Sequence, residues 1–200
     1  MDTLEAIYQR RAVKHFDPDH VVSAEDERKL FEATIQSPTS FNIQHWRFVV
    51  IRDKALRQQV RAVGNDQAQM TDASLLVLMT GDIKAWTKDP DRYWRNAPEQ
   101  VAELLVGWMG PFHQGNDQLQ RDEAQRSIGM AMQTLMLAAK AMGLESCPMI
   151  GFDADKVADL VKLPADHCMG PMVAIGKGTK DPWPKPGQLP LDEVLFTDGF

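Results

Sequence analysis

Between Ser127 and Met142 the chain carries Ile128, Met130, Met132, Leu135, Met136, Leu137, Ala138, Ala139 and Met142, an apolar surface almost all round a helix. Such a helix has no side to turn to water, so it marks a central buried element with others packed around it. Gly143 ends it at the C-cap. The methionines read as core packing rather than as a copper site.

The surrounding elements are legible as short periodic stretches. Asp2 or Thr3 caps a first helix with Leu4, Ile7 and Tyr8 at i, i+3 and i+4, which delivers Arg10 and Arg11 to a turn. Ser23 and Asp26 resemble a capping box for a second helix, whose buried stripe is Leu30, Phe31, Thr34 and Ile35 and whose stop is Pro38. Trp46 to Ile51 reads as a strand, followed by a helix around Lys54 to Val63. The run Leu75 to Met79 reads as a strand buried on both faces. Short strands at Ser146 to Ile150 and Met172 to Ile175 flank a small helix from Ala154 to Val161. Residues 82 to 122 interleave Trp86, Tyr93, Trp94, Trp108 and Phe112 with charges and prolines, and read as a helical excursion with loops. From about residue 181, four prolines make an extended tail suited to lying across another surface, such as a second subunit, before a last short element at Leu191 to Leu195. Helices outnumber strands and surround a small sheet, an α+β pattern.

Composition narrows the function. The 200 residues are 44% apolar and 25% charged, as expected of a single globular domain over 1–200. With 22 basic against 28 acidic residues the net charge is −6, so no basic field exists to hold nucleic acid or anionic lipid, although a local cationic pocket is compatible with it. No apolar run approaches the roughly 20 residues of a membrane span. The acidic start Met1 to Glu5 lacks the features of a secretory signal, and a cytoplasmic protein with Cys147 and Cys168 reduced is expected. Neither cysteine nor His15, His20, His45 or His113 has metal-ligand spacing, so no metal is expected.

Three constellations stand out. Arg10-Arg11-Ala12-Val13-Lys14 places cations where a helix C-terminus favours them, and the same forks suit a phosphate. Ser37-Pro38-Thr39-Ser40-Phe41-Asn42-Ile43-Gln44-His45-Trp46 packs hydroxyls and amides beside a tryptophan, which fits either a locally capped loop or the polar edge of a planar heterocycle. Pro148-Met149-Ile150-Gly151-Phe152-Asp153 brings a strand to a glycine, which serves as an ordinary turn capped by Asp153 or as a place for backbone to approach a ligand. Gly176-Lys177-Gly178 is no Walker A motif, and Asp166-His167-Cys168 reads as a loop rather than as a nucleophile.

Taken in chain order, Arg10 to Lys14, Ser37 to Trp46, the Gly129 to Ala139 helix with Met142-Gly143-Leu144, Pro148 to Asp153 and Pro184-Lys-Pro-Gly-Gln-Leu-Pro190 resemble the nitroreductase family of FMN-dependent oxidoreductases. The resemblance covers roughly residues 1–80 and 124–195, with 82–122 in the family's variable region. It implies a small mixed sheet wrapped by helices in an intertwined homodimer, with FMN at the subunit interface. On it, Arg10, Arg11, Ala12 and Lys14 contact the flavin from one subunit, and Pro38, Thr39, Ser40, Asn42 and Gln44 from the other. Met149, Ile150 and Gly151 meet the flavin near N5, Lys185 contacts the phosphate, and Gln69 or Asp66 falls near the pyrimidine edge. Phe41, Trp94, Trp108 and Phe112 are candidates to cover a substrate, though each also suits packing within the excursion or at the dimer interface.

Two residues depart from the family pattern: His45 stands where many relatives have proline, and Gln188 where they have arginine, a loss that Lys177 or Lys185 is expected to offset. The implied activity is ping-pong hydride transfer from NADH or NADPH through flavin N5 to nitroaromatics, quinones or related acceptors, with no protein nucleophile. Arg92, Arg95 and Arg121 are the available partners for the 2′-phosphate of NADPH. The alternatives are a flavin-dependent oxidase or dehydrogenase of a small organic substrate, a non-catalytic FMN-binding or storage protein, and a helical dimerisation protein.

Overall fold

The computed structural model describes residues 1–200. Asp2 caps α1 (Thr3–Gln9) by accepting from the Glu5 N–H, and Ser23 caps α2 (Ala24–Thr34) by accepting from the Asp26 N–H. Both satisfy donors that a helix start leaves free. Then come β1 (Trp46–Val50), α3 (Lys54–Ala62), the single turn α4 (Gln69–Asp72) and β2 (Leu75–Asp82). Short 3-10 turns at Ala85–Thr87 and Pro90–Tyr93 lead into α5 (Glu99–His113) and the long α6 (Asp117–Ala141). After β3 (Glu145–Met149), α7 (Ala154–Val161) and β4 (His167–Gly176), the tail holds only a 3-10 turn at Leu191–Glu193.

The strands form one sheet in the order β1-β2-β4-β3, and every ladder is antiparallel. Its mixed character rests on a single parallel bridge between Ala12 and Ser146. β2 shows why its sequence is apolar without alternation. Leu75, Val77 and Met79 face a core shared with Leu30 of α2 and Ile128, Ala131 and Leu135 of α6. Leu76 and Leu78 face a second core with Val60 of α3, Met70 of α4 and Val157 of α7. The sheet is covered on both sides, so the strand's period-2 signal disappears.

The central helix differs from expectation in two ways. It starts at Asp117, ten residues before the apolar stretch, because Asn116 caps it by accepting from the Leu119 N–H. It is also open on one side: Arg126, Gly129, Met130 and Gln133 share a face by helical spacing and are exposed. Its end is a Schellman turn, with the Gly143 N–H on the Lys140 carbonyl, the Leu144 N–H on the Ala139 carbonyl, and Gly143 at φ 79°.

β4 begins at His167, so the Asp166–Cys168 segment expected as a loop is a strand start, paired with Gly81 and Asp82 of β2. The register slips between Leu78 and Thr80, opposite Gly170. A Cβ at Gly170 would lie 2.7 Å from Ile128 Cγ2 and 2.7 Å from the Met79 carbonyl oxygen, so this bulge lets α6 press on the sheet. No helix is long and apolar enough to cross a membrane.

Candidate functional site

Arg10 is the C-cap residue of α1, and the chain beyond it runs along the edge of β3, where the Val13 N–H donates to the Ser146 carbonyl at 3.0 Å. Val13 is buried there, while Ala12 and Lys14 face out. The next residues hold the start of the tail: the Asp17 N–H donates to the Lys177 carbonyl at 2.9 Å and the Thr179 N–H to the His15 carbonyl at 3.0 Å. Residues 180–188 are thereby laid opposite Arg10 to Lys14. Between the two segments lies a cavity of about 700 Å³ lined by Arg10, Arg11, Ala12, Lys14, Lys180 and Lys185, with Ile7, Tyr8, Trp183 and Gln133.

None of Arg10, Arg11, Lys14, Lys180 and Lys185 pairs with a carboxylate, and Asp181 is the only acidic lining residue. Lys14 Nζ lies 5.6 Å from the Trp183 ring centroid. Five unpaired cations held together in a chain of net charge −6 repel one another, and a bound anion relieves that repulsion. The volume is within the range of cofactor pockets.

The β3–α7 turn has its own arrangement. The Gly151 carbonyl accepts from Asn65 Nδ2 and from Gln67 Nε2, both at 2.9 Å, and Ile150 projects outward with 81% of its surface exposed. Met149 is buried in the core, so only its main chain is available at this turn. Gln69 is buried too, donating to Gln67 Oε1 at 3.1 Å beside Cys147 Sγ, and Asp66 is engaged by Arg61 at 2.7 Å. The amides that reach this edge are therefore exposed Asn65 and half-buried Gln67 rather than buried Gln69. Their signal was the turn sequence Gly64-Asn65-Asp66, whose Asn65 and Asp66 take left-handed φ of 56° and 52°.

A family profile described as the nitroreductase family matches residues 7–177. The chain belongs to the nitroreductase family. It is similar to Protein DrgA of Synechocystis sp., with 67% identity covering 98% of this chain and 95% of that protein. Among solved structures, ydfN of Bacillus subtilis shares 27% identity with a TM-score of 0.90, covering 97% of both chains. A family member from Exiguobacterium sibiricum, solved in complex with FMN, has the same fold, with a TM-score of 0.91 at 23% identity over 98% of this chain and 97% of that one.

Within this chain of the nitroreductase family, the loop Pro38 to Gln44 lies outside the large cavity. Phe41, Asn42 and Gln44 take left-handed φ of 50°, 53° and 54°, with no glycine among them. Phe41 and Gln44 are each strained by roughly 1–2 kcal/mol, whereas asparagine tolerates this region, and strain of this kind gathers at functional sites. Thr39 Oγ1 accepts from the Gln44 N–H at 2.9 Å, and Asn42 Nδ2 donates to the Tyr93 carbonyl at 2.7 Å. The aromatic candidates divide. Phe41 and Phe112 meet with centroids 5.3 Å apart and planes tilted by 53°, Trp94 packs partly buried against Ile43, Tyr93 and Met109, and Trp108 stands exposed on α5.

Three further findings limit the chemistry. Lys177 reaches Asp17 at 3.4 Å and lies outside the cavity, so only Lys185 of the two expected compensating lysines lines it; Lys180, which sequence reasoning missed, lines it as well. Burial pushes both cysteine thiols up, foremost by desolvation, which disfavours a reactive thiolate. Asp82, Asp166 and His167 cluster, but Lys88 Nζ bridges the two carboxylates at 2.8 and 2.6 Å.

Proposed function

We propose that this nitroreductase-family chain is an FMN-dependent NAD(P)H oxidoreductase acting as a homodimer in the cytoplasm. The observation that carries this reading is the set of Arg10, Arg11, Lys14, Lys180 and Lys185 around one cavity, without carboxylate partners. These residues fit an anionic cofactor: guanidinium and ammonium groups hold a phosphate, and Tyr8 and Trp183 add flat surface beside them. FMN held by these residues would supply hydride-transfer chemistry between NADH or NADPH and a nitroaromatic, a quinone or a related acceptor.

The chain's own part is binding, orientation and cover. Gly151 presents main chain without a side chain, and its carbonyl is held by Asn65 and Gln67, so this edge is set before a ligand arrives. Phe41 and Phe112, tilted against each other, offer apolar ring surface to an acceptor or a nicotinamide. No nucleophile or general base is required of the buried cysteines. The homodimer is supported by the separation of the Pro38–Gln44 loop from the Arg10–Lys14 cavity within one chain: a second copy brings such halves together. It is supported again by exposed Leu4, Tyr8, Leu189, Leu191 and Leu195, large apolar side chains of the kind that an interface covers.

The test is to purify the protein without added flavin, record its visible spectrum and add NADH and NADPH separately under anaerobic conditions. A flavin spectrum bleached by either nicotinamide upholds the proposal. A flavin that neither bleaches moves the function to an oxidase or a storage protein. A colourless protein that also rejects added FMN overturns the cofactor assignment.

A further inference from the structure

A second cavity of about 320 Å³ lies between β1 and the excursion, lined by Gln44, Trp46, Arg47, Arg92, Tyr93 and Arg95. Three of its six lining residues are arginines and none is acidic. Arg47 is held in place before any ligand binds. Arg47 Nη1 donates to the Gln44 carbonyl at 2.9 Å and to the Trp46 carbonyl at 2.8 Å. The Arg92 guanidinium sits 5.8 Å from the Tyr93 ring centroid, and Tyr93 is itself fixed by donating from its hydroxyl to the Ala85 carbonyl at 3.0 Å. Charge balance is left open. Arg92 and Arg95 pair with no carboxylate, whereas Arg47 Nη2 reaches Asp82 at 3.4 Å, a carboxylate that shares the Lys88 ammonium with Asp166, so the uncompensated charge is that of Arg92 and Arg95.

Asn42 ties this cavity to the Pro38–Gln44 loop through its bond to the Tyr93 carbonyl, and Gln44 belongs to both. We infer that Arg47, Arg92 and Arg95 form a phosphate-monoester site that takes the 2′-phosphate of NADPH, an inference resting on the oxidoreductase reading above. A small cavity with the unpaired guanidinium forks of Arg92 and Arg95 beside the anchored Arg47 suits a terminal dianion with three free oxygens. A pyrophosphate, which NADH and NADPH share, is held more often by glycine-rich main chain at a helix N-terminus, and no glycine lines this cavity. The site therefore distinguishes the two nicotinamides.

The test titrates adenosine 2′,5′-bisphosphate and 5′-AMP into the FMN-loaded protein by calorimetry, for the parent, Arg92→Ala/Arg95→Ala and Arg92→Lys/Arg95→Lys. The kcat/KM for NADPH and NADH is measured alongside. The parent is expected to bind the bisphosphate at least about tenfold more tightly than 5′-AMP, and the alanine pair to lose that preference. The NADPH-to-NADH ratio of kcat/KM is expected to fall about tenfold, with partial recovery in the lysine pair. Equal binding of the two nucleotides by the parent, or an alanine pair that leaves the ratio unchanged, overturns the site. If neither nicotinamide reduces the flavin, the oxidoreductase reading fails, yet a bisphosphate preference lost in the alanine pair still upholds the anion site.

Discussion

Asn42 holds Tyr93: its side-chain amide donates to the Tyr93 carbonyl at 2.7 Å from a backbone fixed at φ 53°. One side chain thus joins the strained loop to the excursion and tolerates a conformation that most residues avoid. Asn42→Ala loses the bond and meets the left-handed penalty, whereas Asn42→Gly loses only the bond. Urea denaturation should show the glycine variant more stable than the alanine variant by about 1 kcal/mol. Equal stabilities would mean that the loop relaxes to an ordinary backbone once the bond is gone.

Lys185 and Lys177 make a paired test of the large cavity. Lys185 lines it, and Lys177 is spent on Asp17 at 3.4 Å. Lys185→Ala should weaken FMN binding about tenfold, as expected for removal of one charge-assisted phosphate contact. Lys177→Ala should change it less than about twofold. Flavin fluorescence titration of the apoprotein measures both, and a larger effect at Lys177 would place the phosphate nearer the Asp17 end.

Local signals explain what the sequence disclosed. The caps Asp2, Ser23 and Asp153 act within three residues, so α1, α2 and α7 start where their sequences place them. The first turns of α6 were hidden because Gln118 to Arg126 is polar, and only tertiary packing at Gln120 and Ala124 buries it. The strand start at His167 was hidden because its partner, Gly81–Asp82, is distant in sequence. In the site, Arg10 to Lys14 announced itself as a charge cluster. Lys180, Arg47 and the left-handed Phe41, Asn42 and Gln44 did not, since their placement depends on pairing between residues far apart in the chain.

Gly170 tests how closely α6 presses on the sheet. A methyl group there would sit 2.7 Å from both Ile128 Cγ2 and the Met79 carbonyl oxygen, and the carbonyl belongs to a central strand. Gly170→Ala should lower stability by about 1–3 kcal/mol in urea or thermal denaturation, as overpacking does. A neutral effect would show that the bulge between β2 and β4 yields.

His45 sets an acid limit on stability. Ser127 Oγ donates to the Glu123 carbonyl at 2.8 Å and so accepts from His45 Nδ1 at 3.1 Å, leaving Nε2 of the buried ring as an unpartnered lone pair. Burial first, then His113 and Arg47, hold the imidazole pKa down to about 4 against the opposing pull of Asp82. In the unfolded chain the ring takes up its proton near pH 6.5, so between about 6.5 and 4 the unfolded state binds a proton that the folded state refuses. Stability is complete above that window and falls through it, by up to about 3 kcal/mol for this one group. Asp166, held at about 2 by Lys88 and then His167, adds its own loss only below its ordinary 3.8, so the two windows separate. Urea denaturation at pH 7.5 and 4.5 should show the loss in the parent and a smaller one in His45→Gln. The same loss in both proteins would assign the acid limit to other groups.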